Sequence, residues 1–551
     1  MKEEIFHLSR RAVPVVLCAA VCVSCSKIGG FAEKRADRAA YGNIYGAQET
    51  AWGGGSEFTI DQTDGSQARA ALEAASNEEE PIMLSLAETL ALAVSNSRSY
   101  QLSKENLFLE ALNLTETQKA FNWDTSASRF SLETSYSDDG STTETFGDNG
   151  VDGRLGLSVS RTLLSGARVT LGFTENIVDY FTDPDTSSEN GVLSFNVVQP
   201  LLNGFGPLVS QEPLRQAERN MIYAVRDFRR YQQDFIIDIT SLYYSTLRSR
   251  DQLINAENNY KSAVANREQT ESFADANRIA PFQAAQAQQS ELNAEDRLFS
   301  ARATYERALD DFRYQLGLPI DLNVQPDPGE LDILTERGLV GIDITLEEAV
   351  DFAVSNRLDL ITMRQEVEDR ERALEITERD FLPNLDVEYG VSKDVEGGDP
   401  NQNLDVGLSL PFDWTEKRNA YRRAQINLDR QLRSLEQSEW DVKREVRNLW
   451  RTLEQNRLVY KNRLLSVELA MRSVENTTLL LKNGDALTRD LLEAQDDLLN
   501  ARNDATVALV DYTINRLRFW NTIERFEIDP KGMWYEGIDE QDAGAAEASQ
   551  E

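Results

Sequence analysis

The sequence predicts a mixed α+β membrane protein, built as a duplicated unit of long antiparallel coiled-coil helices and barrel-type β-strands. Three observations predict it. A segment near residue 85 recurs near residue 345. Several segments of about nine residues alternate between apolar and small or polar side chains. Two stretches of some sixty residues carry helical periodicity with no globular core of their own.

Composition removes most other classes. The chain has 551 residues and a formal charge of −36. A chain this acidic lacks the basic stripe that nucleic acid requires, so no nucleic-acid partner is expected. The single histidine, His7, and the three cysteines, Cys18, Cys22 and Cys25, all fall before residue 26. Lys2, Arg10 and Arg11 form a basic flank, and Ala12–Val23 is an apolar run. That run is shorter than the about 20 residues a membrane-spanning helix needs, but it suits a signal core. Residues 1–24 are therefore expected to be a signal peptide. Without them the chain has no imidazole and one sulfhydryl. Ser-His-Asp and Cys-His catalysis, His/Cys zinc sites and disulfides are then excluded. No phosphate-binding glycine loop is present and no carboxylate pair stands out, so no enzymatic activity, metal or cofactor is expected. Val23-Ser24-Cys25-Ser26 resembles the lipobox of bacterial lipoproteins, with Cys22 where Leu or Val is usual. The resemblance implies lipidation of Cys25. Ser26 and Lys27 differ from the aspartate-type retention signal, which implies sorting to the outer membrane. No later segment has 18 consecutive apolar residues. A membrane-spanning part must then be a closed β-barrel, since open sheet edges cannot be satisfied in lipid.

The remaining elements follow in order. Residues 25–80 are polar and rich in Gly, Ala and acid, and read as a lipidated linker. A first repeat covers 81–325, a connector 326–343, a second repeat 344–530, and an acidic tail 531–551. Leu84-Ser85-Leu86-Ala87-Glu88 and Ile344-Thr345-Leu346-Glu347-Glu348 lie 260 residues apart. Ser85 and Thr345, each with Glu three residues on, predict capping boxes. A helix of roughly 35 residues is expected after each, ending near Phe121 and Phe381. Strands are expected within 126–199 and 384–410. Phe130, Leu132, Thr134 and Tyr136 alternate with Ser131, Glu133 and Ser135. The same alternation recurs around Leu157, Leu171, Phe195, Val387 and Val406. A soluble half-buried sheet would alternate equally. The loops favour a barrel: 137–150, 179–190 and 393–402 are long and polar, whereas 163–167 is short. Pro200 and Pro411 end the strand blocks. Helical hairpins are expected at 208–317 and 413–526, with arms reaching roughly 95 Å at 1.5 Å per residue. Their turns fall at 276–281 and 483–488.

This order resembles the TolC-like outer membrane efflux protein family across residues 82–530. The most specific piece is Gln199-Pro200-Leu201-Leu202-Asn203-Gly204-Phe205-Gly206, similar to the family's strand-to-helix junction. Leu410-Pro411-Phe412-Asp413 is its weaker counterpart. The resemblance implies a homotrimer with one shared barrel in outer-membrane lipid and an α-barrel through the periplasm. It implies a passive exit channel of a tripartite efflux or type I secretion system. A periplasmic adaptor (membrane fusion) protein and an inner-membrane transporter would dock at tips carrying Asn277, Arg278, Gly484 and Asp485. The family's periplasmic gate acids fall on Asp490 and Glu493; a solvated acidic helix turn is the plainer reading of that pair. The family's latch tyrosine and arginine fall on Leu481 and Ala486, and Gln283 stands where an acid is common. A second departure is the strand count. The family has two strands per repeat, whereas the first repeat here shows four. The extra hairpin at 151–175 either joins the wall, giving a trimer 18 strands, or folds over the barrel mouth. The alternative to a channel is a coiled-coil structural or adaptor lipoprotein of the periplasm with a small β-domain and no pore.

Overall fold

A computed structural model describes residues 31–54, 58–61, 81–135, 150–180, 188–276, 278–395, 397–410, 412–483, 485–528 and 534–535. The expected signal peptide, Cys25, Asn277, Pro411, Gly484 and most of the C-terminal tail lie outside these residues.

In chain order the elements are α1 (31–52), β1 (Ile82–Leu84), α2 (Leu86–Asn96), α3 (Arg98–Phe121), β2 (Asp124–Ser135), β3 (Gly150–Thr162), β4 (Arg168–Tyr180) and β5 (Ser188–Pro200). After one helical turn at Pro207–Ser210 come α4 (Glu212–Asp275), α5 (Pro281–Gln315), β6 (Val324–Pro326) and α6 (Gly329–Arg337). The second half holds α7 (Leu346–Asn356), α8 (Leu358–Arg379), β7 (Asn384–Asp394), β8 (Asn401–Ser409), α9 (Thr415–Asn483), α10 (Thr488–Thr522), β9 (Glu527–Ile528) and β10 (Trp534–Tyr535). The chain is thus mixed α+β, with long helical hairpins and one large sheet. It divides into two compact units.

The first unit comprises 1–58, 107–225 and 363–434. Its centre is a six-stranded antiparallel sheet in the order β2-β3-β4-β5-β7-β8. The extra hairpin is therefore inside the sheet, between β2 and β5, and does not fold away from it. Directly paired residues share a face. Val159, Leu171, Phe195 and Val391 form one register row, and Val169, Val197, Tyr389 and Leu404 another. On the opposite face Ser158, Gly172, Ser194 and Ser392 align, as do Ser160, Thr170, Asn196, Gly390 and Asn403. One face is mainly apolar and the other mainly small or polar, across the inserted strands as across the rest, with Arg161, Lys393 and Gln402 on the first and Val198 on the second.

Residues 31–52 correct the expected linker: they are helical. Ala40, Ile44 and Ala47 are buried at three- and four-residue spacing, and Tyr41 packs 5.4 Å from Phe108 on α3. Asn43 Nδ2 donates to Ala111 O at 3.3 Å and Thr115 Oγ1 at 3.0 Å. Two of these three buried residues are alanine and the stripe is short, so the pattern is faint in the sequence. Deeper in this unit Arg219, Glu368, Asp369 and Arg372 form an ion-pair network. Tyr223 Oη donates to Asp369 Oδ2 at 2.7 Å.

The second unit comprises 59–106, 226–362 and 435–551. Both capping boxes form: Ser85 and Thr345 accept from the Glu88 and Glu348 amides, and those carboxylates accept from Ser85 N and Thr345 N at 2.9 Å. The single helix of 35 residues expected after each box is instead two helices. Ser97 (φ −64°, ψ 127°) and Arg357 (φ −58°, ψ 126°) stand extended between them. Each amide still bonds back into the first helix and each carbonyl opens the second. Neither residue type is a breaker, so the bend has no local signature. Arg357 then holds Asp359 and Glu445 at 2.7–3.2 Å. The connector is also structured: it holds α6 (Gly329–Arg337). Just before it β6 pairs in parallel with β1, and the buried Tyr243 Oη donates to Leu84 O at 3.0 Å. Tyr100, Phe228 and Phe235 form an aromatic core with centroids 5.0–6.0 Å apart along the Tyr100 contacts. Trp450, Phe519 and Trp520 make another.

Candidate functional site

Two places carry the residues singled out in the sequence. The first is the strand-to-helix junction. Pro200 is the last residue of β5, opposite Asp386, and Leu201 N still donates to Leu385 O at 2.7 Å. Gly204 (φ +82°) and Gly206 (φ +92°) then take backbone angles that side chains disfavour, which lets the chain turn from strand to helix. The short β3–β4 turn is seated against this bend. Gly206 N donates to Ser165 O at 3.1 Å, and Ser210 Oγ to Leu164 O at 3.0 Å. Ser165 Oγ donates to Gln199 Oε1 at 2.8 Å, and Gln199 Nε2 donates back to Ser165 O at 3.2 Å. A Cβ on Gly166 would stand 2.5 Å from Gly204 O. The motif thus turns its own chain and also receives the inserted hairpin. Nothing local in the sequence links Ser165 to Gln199, which are 34 residues apart.

At the second junction Asp413 Oδ1 accepts from Thr415 N at 2.8 Å and opens α9. Phe381 stacks on Trp414 at 5.8 Å, and Lys417 lies over the same indole. Exposed aromatic residues flank three of the strand ends that meet helices: Trp123 before β2, Phe205 after β5, and Phe412 and Trp414 after β8.

The second place is the pair of hairpin turns. Arg278 is exposed, with its guanidinium 5.9 Å from the Phe273 ring centroid. Asp485 is exposed, and its amide donates to Leu480 O at 2.9 Å. The starts of α5 and α10 meet where buried Thr488 donates to Gln283 Oε1 at 3.1 Å. Asp490 and Glu493 follow on the first turns of α10. Glu493 is exposed. Asp490 is half-buried, and its Oδ2 accepts from Leu487 N at 3.1 Å, capping the helix. The capping role escaped the sequence reading because Leu, not Ser or Thr, precedes it by three. Farther along, Arg297 grips Asp496 in a two-pronged pair at 2.6 and 3.0 Å, and Asn266 Nδ2 donates to Gln495 Oε1 at 2.6 Å. Leu481, at the expected latch position, is buried, so polar contacts elsewhere tie α10 to the first hairpin. No cluster of His, Cys, Asp and Glu among the described residues is arranged to hold a metal. No described helix is long and apolar enough to cross a membrane.

The fold is TolC-like, that of known outer-membrane channels. The Campylobacter jejuni CmeC outer membrane channel matches with a TM-score of 0.58 at 16% identity, over 84% of this chain and 89% of that one. The Vibrio cholerae outer membrane protein VceC matches with a TM-score of 0.60 at 12% identity, over 80% and 95%. The open state of the Neisseria gonorrhoeae MtrE outer membrane channel matches with a TM-score of 0.54 at 13% identity, over 80% and 88%. No family model and no curated protein matches the chain.

Proposed function

We propose that the chain is the passive outer-membrane exit channel of a tripartite efflux or type I secretion system. The observation that carries the reading is the apolar sheet face, left exposed among the described residues. Leu157, Leu171, Leu193, Leu404, Val406 and Leu408 are between 43% and 68% exposed. Exposed apolar area of this extent needs a cover. Lipid suits it, because the opposite face is small and polar and because aromatic residues mark strand ends as they do in membrane barrels. An open sheet edge is not tolerated in lipid, so copies must close it, and the reading is a homotrimer. Leu464, Leu465, Leu469 and Leu479 on α9 are also exposed, which suits helix packing against another copy.

In this reading the chain catalyses no reaction. An inner-membrane transporter supplies the energy and a periplasmic adaptor bridges it to the tips around Asn277, Arg278, Gly484 and Asp485. Asp490 and Glu493, three residues apart on one helix face, give a trimer two rings of three carboxylates that attract cations and resist close approach. Acylated Cys25 anchors the chain to the outer membrane. Purified protein should run as a heat-resistant trimer in detergent and give single-channel conductance in planar bilayers. A monomer without conductance would favour a pore-free periplasmic coiled-coil lipoprotein. Replacing both turns, 276–281 and 483–488, should abolish crosslinking to the adaptor.

A further inference from the structure

We infer that three copies close into an 18-stranded barrel, in which β8 of each copy pairs with β2 of the next. The inference rests on the trimeric channel reading and deepens it by fixing the exit aperture. Six strands are paired in one continuous sheet, and the inserted hairpin lies at its middle rather than at an edge. Its Val159 and Leu171 fall in the same apolar row as Phe195 and Val391. Folding the hairpin aside would break two interior ladders and interrupt that row. It would also pull the β3–β4 turn away from Gln199 and Gly206.

The two edges fit each other. With six strands in strict alternation, β2 and β8 run in opposite directions, so a neighbouring β2 beside β8 continues the antiparallel pattern. An inserted hairpin preserves this parity, whereas a single inserted strand would destroy it. No other described strand can cap either edge: β1 pairs with β6 and β9 with β10. Six strands are fewer than the about eight in the smallest membrane barrels, so one chain cannot close alone.

The consequence is size. With strands about 4.8 Å apart and tilted about 40°, 18 strands give a backbone diameter of about 36 Å, and 12 would give about 24 Å. The mouth is thus about 1.5 times as wide as one built from four strands per chain, with about twice the cross-section.

A spin label on Val406→Cys, in a full-length chain with Cys18→Ser, Cys22→Ser and Cys25→Ser, measures this directly. With each label standing about 6 Å outside the wall, three coupled spins about 40 Å apart would support the 18-stranded wall. Three spins about 30 Å apart would overturn it while leaving the trimeric channel intact. An absence of inter-copy coupling would overturn the channel reading and the inference together. In a second variant, lacking 150–180, the spacing should contract by about 10 Å and smaller polymers should be excluded from the pore; unchanged spacing and exclusion would also overturn the inference. Failure of that variant to fold leaves the decision with the full-length distance.

Discussion

Gly166 and Gly206 both sit at positive φ, +86° and +92°, yet only one is crowded where a side chain would go. Alanine at 206 meets nothing within 4 Å and carries the backbone penalty alone, about 1–3 kcal/mol at φ 92° and ψ 165°. Alanine at 166 adds a collision with Gly204 O at 2.5 Å, and a backbone atom cannot swing aside. Gly166→Ala should therefore lower the thermal midpoint more than Gly206→Ala does, as read by heat-resistance of the assembled protein. Asp490 permits a second separation of effects. Its carboxylate caps α10 through Leu487 N. Asn keeps an acceptor there and removes the charge, whereas Ala removes both. Asp490→Asn should reduce cation over anion selectivity in bilayers with stability unchanged. Asp490→Ala should reduce selectivity and also cost about 1 kcal/mol of stability. Equal selectivity in Asp490→Asn and the parent would remove Asp490 from the gate.

At the level of elements, the helix pairs α2–α3 and α7–α8 bend at equivalent points, and the second bend carries a charge cluster. Asp359 is held below its ordinary 3.8: burial pushes it up, and the Arg357 and Arg230 guanidinium groups outweigh burial. A depressed carboxyl contributes stability that is complete above its unfolded value and disappears as pH falls through the folded one. Thermal midpoints should thus fall below about pH 4, and Asp359→Asn should flatten that part of the profile. A parallel acid limb in the mutant would show that other carboxylates dominate. The elements differ in how legible they are. The strands show in the sequence because apolar and small or polar residues mostly alternate along each, so period two survives departures such as Arg161 and Lys393. The capping boxes show because their partners lie three residues apart. The bends at Ser97 and Arg357 do not, since an ordinary residue takes an extended angle only because the second helix must point elsewhere. Helix α1 hides because its buried stripe is only Ala40, Ile44 and Ala47, while Tyr41 and Asn43 reach α3 through contacts about seventy residues away in sequence. The Thr488–Gln283 and Arg297–Asp496 contacts join residues 205 and 199 positions apart, beyond the reach of any local pattern.

For the whole molecule, the two faces of the sheet should respond oppositely to charge. Val406 lies on the exposed apolar face, and Asn403 on the polar one. Arginine on a lipid-facing strand position costs about 2–4 kcal/mol near the bilayer midplane. Val406→Arg should deplete the outer-membrane fraction, whereas Asn403→Lys should insert normally and shift ion selectivity; equal insertion of both would argue against a lipid-facing sheet. The seating of the β3–β4 turn on Gln199 and Gly206 has a further consequence. A plane through the sheet cuts six strands per chain, but only four of them continue into helices, through α3, α4, α8 and α9. The other two meet in the Leu163–Ala167 reversal. The number of chain crossings therefore drops by a third at one level, and the Pro-Gly bend is where the surplus ends. The strand count of the sheet and the number of helices that continue from it are set by separate parts of the chain, so either could change length or number without re-registering the other.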